Sequence, residues 1–264
     1  MAETTQQWHQ DTVKVDGTDL AVIKGGSGRP LLVLHEEMGH PGWLKWHTEL
    51  ARDHSLLIPL HPGFGVTPRA DWIWNVRDLA GFYARFVREQ KLTPVDVIGF
   101  SLGGWVAAEM AANNQEQFRR MVLVGAAGIR PPRGEILDIF QLMAPAELAA
   151  SVLDPDNTPE FDQLYGGIGP AAFELWEDAR AETARLAWVP YMHNPSLPHL
   201  LGVIDKLPTL IVWGREDGVV PLSAGEAYNQ AIAGSRLVVL DKCGHRPEIE
   251  QQAAFVREVK GFLG

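Results

Sequence analysis

Polar and apolar residues alternate along this chain with two periods. From Trp8 to Val15 and again from Thr18 to Ile23 they take turns, with Asp16-Gly17 between. A period of two around a turn dipeptide predicts an antiparallel hairpin at a sheet edge. Short apolar runs follow at Pro30 to His35, Ser55 to Leu60, Val95 to Phe100, Met121 to Gly125, Thr209 to Trp213 and Leu237 to Leu240. Runs with no polar face predict strands buried on both sides. Between them lie segments of helical period: Trp43 to Arg52, Trp105 to Ala112, a helix through Ala227, and Glu248 to Phe262. In Asn75 to Gln90, residues Val76, Leu79, Phe82, Tyr83 and Phe86 form a single apolar stripe. Strands alternating with helices predict an α/β fold, a mostly parallel central sheet with helices on both faces.

The strand rhythm stops between residues 128 and 207. That segment is helical and aromatic: Ile136 to Met143, Pro145 to Leu153, Pro170 to Trp188, then Pro190-Tyr191-Met192-His193-Asn194-Pro195. It is too long for a simple connection between neighbouring strands. The predicted organisation is therefore a core of residues 1–127 and 208–264, with 128–207 inserted as a separate helical unit.

The chemistry starts at Gly99-Phe100-Ser101-Leu102-Gly103-Gly104, between a predicted strand and a predicted helix. A serine at a sharp strand-to-helix turn, flanked by glycines that let strand and helix approach, is the pattern of a nucleophile elbow. A serine hydroxyl is a poor nucleophile alone and needs a base, which needs an orienting acid. Downstream, Asp217 sits just past the apolar run ending at Gly214, and His245 just past the run ending at Leu240. All three lie at the C-terminal ends of predicted strands, which share one edge of a parallel sheet.

These segments, with Leu31 to His35, Trp213 to Pro221 and Cys243 to Pro247, resemble an α/β-hydrolase fold serine hydrolase over nearly the whole chain. The resemblance implies Ser101 as nucleophile, His245 as general base and acid, and Asp217 as orienter, with Asp241 and Glu216 as rival acids. It makes the insertion a helical cap (lid). Trp176, Trp188, Tyr191, Met192 and His193 are its candidate substrate walls. It places the oxyanion hole at the backbone N–H groups of Leu102 and Glu37. Here the chain departs from the family, which usually has His-Gly where this one has His35-Glu36-Glu37-Met38-Gly39. Either both carboxylates point to solvent or pair with a basic residue, or one faces the cavity and biases it toward neutral substrates. The implied activity is acyl transfer on a small carboxylic ester or lactone. The alternatives are C–C bond hydrolysis of a β-diketone-like or ring-cleavage product, and a slow-turnover ligand receptor of the same fold. No cofactor is implied.

Composition adds limits. A net charge of −10 argues against nucleic acid and anionic membrane surfaces as partners, leaving a small-molecule substrate and, open, a homo-oligomer. The lone Cys243 rules out an internal disulfide and suits a cytoplasmic location. The reading of Cys243 as a reactive thiol beside His245 competes with that of a small buried residue. Residues 1–7 lack the basic and apolar regions of a signal peptide. Glu36, Glu37 and His40 lack convincing metal-ligand spacing, so no metal is expected. His40 and His61 fall in loops near the predicted active edge.

Overall fold

The computed structural model describes residues 8–167 and 169–264; residues 1–7, read above for a targeting segment, lie outside them. Eight strands form one sheet in the order β1-β2-β4-β3-β5-β6-β7-β8. They are β1 (Trp8–Val15), β2 (Thr18–Gly26), β3 (Arg29–Leu34), β4 (His54–Pro59), β5 (Val95–Phe100), β6 (Phe118–Val124), β7 (Thr209–Gly214) and β8 (Arg236–Leu240). β1 and β2 pair antiparallel around Asp16-Gly17, β2 joins β4 antiparallel, and every pairing from β4 to β8 is parallel. The central strands β5 and β7 are buried at every residue, because helices cover both faces.

The helices are α1 (Lys45–Leu50), α2 (Val76–Glu89), α3 (Leu102–Asn113), α4 (Ala144–Ala150), α5 (Pro170–Ala187), α6 (Leu197–Leu200), α7 (Leu222–Ala231), α8 (Pro247–Glu250) and α9 (Gln252–Leu263). The stripe on α2 is buried as its period requires, and Asn75 caps the helix by accepting from the Asp78 amide at 3.0 Å. Two apolar clusters result. One holds α2, α3, α7 and the sheet face they cover; the other is built on α1, α9, Trp46 and Phe255 against the opposite face.

Between β6 and β7, which pair directly, the chain makes a long excursion that carries α4, α5 and α6. Its run from Ile136 to Met143, expected to be helical, forms only a single 3-10 turn, Ile139–Gln141. The last predicted helix is broken at Gln251 into α8 and α9. The base of the segment is stitched shut by backbone: the Gly128 amide donates to Met192 O at 3.0 Å and the Asn194 amide to Gly128 O at 2.9 Å.

The turn from β5 into α3 is packed backbone against backbone. A methyl group on Gly103 would lie 2.2 Å from Leu34 O, and one on Gly99 would lie 2.4 Å from Gly103 O. Helix and strands therefore approach as closely as they do only because side chains are missing there. Gly103→Ala is accordingly expected to lower the melting temperature sharply or prevent folding. Gly81→Ala, at an exposed α2 position with open space around it, should be neutral or stabilise by about 0.5–1 kcal/mol. Thermal unfolding of the two variants checks the contrast; equal melting temperatures would contradict it.

Candidate active site

Ser101 sits at the apex of the turn with φ 44° and ψ −110°, left-handed backbone that a side chain adopts only under constraint. The constraint is visible: its amide donates to Val124 O at 2.9 Å, and its carbonyl accepts from both Trp105 and Ala127 amides at 3.1 Å. Ser101 is buried and its Oγ has no hydrogen-bond partner. The first amide of α3, Leu102, follows directly, where the helix dipole favours negative charge.

His245 Nδ1 lies 2.8 Å from Asp217 Oδ2, with both side chains enclosed. Asp217 Oδ1 accepts from the Val219 and Val220 amides at 2.9 and 2.8 Å, which fixes the carboxylate. A carboxylate only accepts, so Nδ1 carries the proton and Nε2 is left as the basic nitrogen. Burial lowers the proton affinity of His245. The charge and hydrogen bond of Asp217, then the charges of Glu37 and Glu36, outweigh that and bring it to a pKa of about 9. The rival acids are engaged elsewhere. Asp241 is exposed and pairs with Arg215, and Glu216 Oε2 accepts from the Cys243 amide at 3.0 Å. Cys243 is buried, and burial pushes its thiol pKa up, which leaves it unreactive.

The loop after β3 is held by a chain of buried rings. His35 Nε2 accepts from the His61 amide at 2.9 Å, so its Nδ1 carries the proton and donates to Glu36 O at 2.7 Å. His61 Nε2 lies 3.0 Å from His35 O and therefore donates, and its Nδ1 accepts from Tyr83 OH at 2.5 Å. In a trans peptide the C=O and the following N–H point opposite ways. The bond to Glu36 O thus aims the Glu37 amide away from His35, and among the described residues that amide has no partner. Glu36 stands where the family has glycine, yet the left-handed residue of the turn is Gly39, at φ +98°, so a side chain at 36 is tolerated.

That side chain is compensated. Glu36 accepts from Tyr165 OH at 2.5 Å and from Nη2 of Arg246, a fully buried guanidinium. Arg246 Nη2 also donates to Tyr165 OH at 2.7 Å and Nε to Ser151 Oγ at 2.8 Å. One residue past His245, it thereby ties the histidine loop, the β3 loop and the inserted segment together. Glu37 is equally buried, but its Oε2 has no hydrogen-bond partner.

Of the five wall candidates, Trp176 lines a cavity of about 260 Å³ whose walls also include Met38, Gly39, Leu60, Phe64 and Leu175. Ser101 and His245 do not line that cavity. The other four lie away from it. Trp188 is half exposed and packs on Phe140 at 5.1 Å. Tyr191 OH accepts from the Ile139 amide and donates to Leu137 O, holding a loop. Met192 and His193 belong to the backbone stitch at Gly128. His40 lines the cavity, with Nδ1 accepting from the Gly42 amide at 3.0 Å. Among the described residues no group of His, Cys, Asp and Glu could hold a metal ion, and no helix is long and apolar enough to cross a membrane. The residues that sequence reading missed are Arg246, Tyr165, Glu147, Arg180 and Thr183. Only Arg246 carried a local signal, its place beside His245.

Residues 31–258 match the Alpha/beta hydrolase family. The chain is 31% identical over 266 residues to 2-hydroxymuconate semialdehyde hydrolase of Pseudomonas sp. (strain CF600), covering 90% of this chain and 88% of that protein. It is 27% identical over 276 residues to the pimeloyl-[acyl-carrier protein] methyl ester esterase of Aeromonas hydrophila, covering 93% and 99%. The fold is similar to 2-hydroxy-6-oxo-6-phenylhexa-2,4-dienoate hydrolase from Rhodococcus sp. strain RHA1, with TM-score 0.78, 20% identity, and coverage of 97% and 98%.

The buried titratable groups set the dependence of stability on pH. Burial raises Glu147 from 4.5 to about 8 and Glu248 from 4.5 to about 7, while His245 is held at about 9. Native carboxyls keep protons that the unfolded chain has lost above about pH 4.5, and native His245 does so above 6.5, so these groups lose stability as pH rises. Burial lowers His35 to about 4 and His40 to about 3. There the unfolded chain binds the extra protons, so stability falls as pH drops below 6.5. The melting temperature is expected to be highest between about pH 4.5 and 6.5, where the two sets oppose, and to fall toward pH 9 and toward pH 3. A melting temperature that climbs from pH 7 to 9 would contradict this.

Proposed function

Because the chain belongs to the alpha/beta hydrolase family and is a hydrolase, we propose that it cleaves a small carboxylic ester or lactone by acyl transfer through Ser101, His245 and Asp217. The observation that carries this reading is the buried His245–Asp217 pair at 2.8 Å, combined with a strained, unpartnered Ser101 Oγ at the start of α3. In this reading Ser101 Oγ attacks the carbonyl carbon while its proton passes to His245 Nε2. The oxyanion that forms is held by the Leu102 and Glu37 amides, each such donor being worth about 2.7–4 kcal/mol in the transition state. His245 then gives its proton to the leaving oxygen. A water activated by the same Nε2 attacks the acyl-enzyme, releasing the acid and freeing Ser101.

Residues 128–207 act as the cap. Besides the contacts of Ser151 and Tyr165 with Arg246 and Glu36, Thr183 Oγ1 donates to Glu37 O at 2.9 Å, and the His245 amide donates to Ser151 O at 2.9 Å. With Ser101 fully enclosed, substrate entry requires this segment to move, and its return excludes water from the acyl-enzyme. The reading includes a cytoplasmic location, which the single cysteine suits.

A second reading, hydrolysis of a C–C bond in a β-diketone-like or ring-cleavage product, is favoured by the likeness over 90% of the chain to a 2-hydroxymuconate semialdehyde hydrolase. Assaying a methyl or p-nitrophenyl ester series beside a ring-cleavage dienoate separates the two by kcat/KM.

Under either reading Ser101→Ala should abolish turnover and fluorophosphonate labelling while leaving the melting temperature unchanged within a few degrees. Asp217→Asn should cost about 10⁴ in kcat, because the neutral amide no longer selects the Nδ1–H tautomer. Asp241→Asn, on an exposed pair, should cost less than about twofold. A larger loss from Asp241→Asn than from Asp217→Asn would overturn the assignment of the acid. Since His245 must be neutral to act as base, kcat/KM should rise with pH up to about 9.

A further inference from the structure

Buried polar atoms are nearly always paired, yet among the described residues several on the β3 loop, the elbow, α4 and α5 are not. They include Ser101 Oγ, Glu37 Oε2, both carboxyl oxygens of Glu147, and Arg180 Nε. Glu37 and Glu147 are 3% and 1% exposed. The nearest approach between Arg180 and Glu147 is 3.6 Å, beyond hydrogen-bond length. Glu36, the neighbour of Glu37, is by contrast fully paired with Arg246 and Tyr165. Structural need therefore accounts for Glu36 but leaves Glu37 and Glu147 with desolvated, unmet acceptors.

Their placement ties them to the reacting groups. Thr183 of α5 binds Glu37 O, and Arg180 sits one turn earlier on the same helix. Ser151, just past α4, accepts from the His245 amide, and Glu147 sits one turn before it. Glu37 is close enough to raise the proton affinity of both His245 and Glu147. We propose that Glu37 and Glu147, backed by Arg180, form an acceptor-rich wall of the substrate site. This wall admits uncharged esters bearing a hydroxyl donor and excludes esters bearing a carboxylate. The unmet Glu37 oxygen can accept from a substrate donor, and a carboxylate there opposes a substrate carboxylate; Glu147, which burial keeps protonated to about pH 8, adds a neutral carboxyl beside it. This rests on the ester-hydrolase reading for the reaction, though not for the binding preference itself.

The test uses three methyl esters of matched size: methyl valerate, methyl γ-hydroxybutyrate and monomethyl succinate. Their binding to the Ser101→Ala protein is measured by calorimetry, alone and with Glu37→Gln or Glu147→Gln added. The hydroxy ester is expected to bind at least about threefold more tightly than the valerate, and the succinate at least about tenfold more weakly. Glu37→Gln should close most of the succinate deficit, and Glu147→Gln should reduce the hydroxyl preference. With Ser101 intact, kcat/KM should follow the same order. Because Glu37 Oε2 and both Glu147 oxygens lack hydrogen-bond partners among the described residues, both variants should keep or raise the melting temperature, which a hydrogen-bonded structural ion pair would not allow. A readout of Glu37 separate from binding is the His245 titration. His245 faces Asp217, Glu36 and Glu37, with Arg246 and Glu248 on its own loop, and Glu37→Gln should lower its pKa. Ester preferences that are equal in all three proteins, or a succinate bound as tightly as the valerate, would overturn the proposal. If the binding order holds but no ester is turned over, the ester reading of the reaction fails and the wall stands.

Discussion

The close approach of three backbone segments at the elbow governs the rest of this molecule. β3, β5 and the start of α3 meet where Gly99 and Gly103 carry no side chain, and carbonyls occupy the space a Cβ would need. That contact forces Ser101 into left-handed backbone and projects its hydroxyl from the sheet edge. It also fixes the distance from the elbow to the β3 loop, because the atoms Gly103 presses against are the carbonyls of Leu34 and His35. Packing thus sets the start of α3 against the β3 loop, the two segments whose Leu102 and Glu37 amides are proposed as oxyanion donors.

A second constraint is charge. The sheet edge gathers Glu36, Glu37, Glu147, Glu248 and Asp217 out of water, a concentration of like charge that folding does not tolerate unless it is offset. Three devices offset it. Asp217 is held by two amides and by His245. Glu36 is held by Arg246 and Tyr165. Burial disfavours the ions of Glu147 and Glu248, raising their pKa values to about 8 and about 7, so both keep protons well above the usual carboxylate range. Arg246 is the centre of this arrangement, and its hydrogen-bond partners Glu36, Ser151 and Tyr165 come from distant stretches of chain. Loss of the guanidinium would leave Glu36 buried without a counter-ion beside the proposed oxyanion site, so the ion pair and the reacting geometry are one structural problem.

The buried rings of His35, His61 and Tyr83 act in the same way on a smaller scale. Every ring nitrogen in that chain has a partner, which fixes each tautomer and makes the histidines neutral donors and acceptors rather than switches. The β3 loop therefore departs from the usual His-Gly sequence and still presents an unpaired amide at Glu37.

Much of this was legible in the amino-acid order alone. Period-two alternation located the edge hairpin, apolar runs located the parallel strands, and the stripe from Val76 to Phe86 located α2, because those periods are local consequences of which face must be buried. The elbow was legible because its glycines and serine are contiguous, and the alpha/beta hydrolase family followed from the order of its segments. The partners of Glu36 were not legible. Arg246 lies 210 residues away and Tyr165 129, and no local pattern connects them. Nor could sequence separate Trp176, which lines a cavity, from Trp188, which packs on Phe140 at the surface, since both sit on or beside an amphipathic helix whose rotation is set by its neighbours. The helix expected at Ile136 to Met143 shrank to one turn because Tyr191, far along the chain, takes up the backbone groups of Leu137 and Ile139. Short-range order dictates which elements form; which carboxylates are paired and which are left open is decided only when distant segments close on one another.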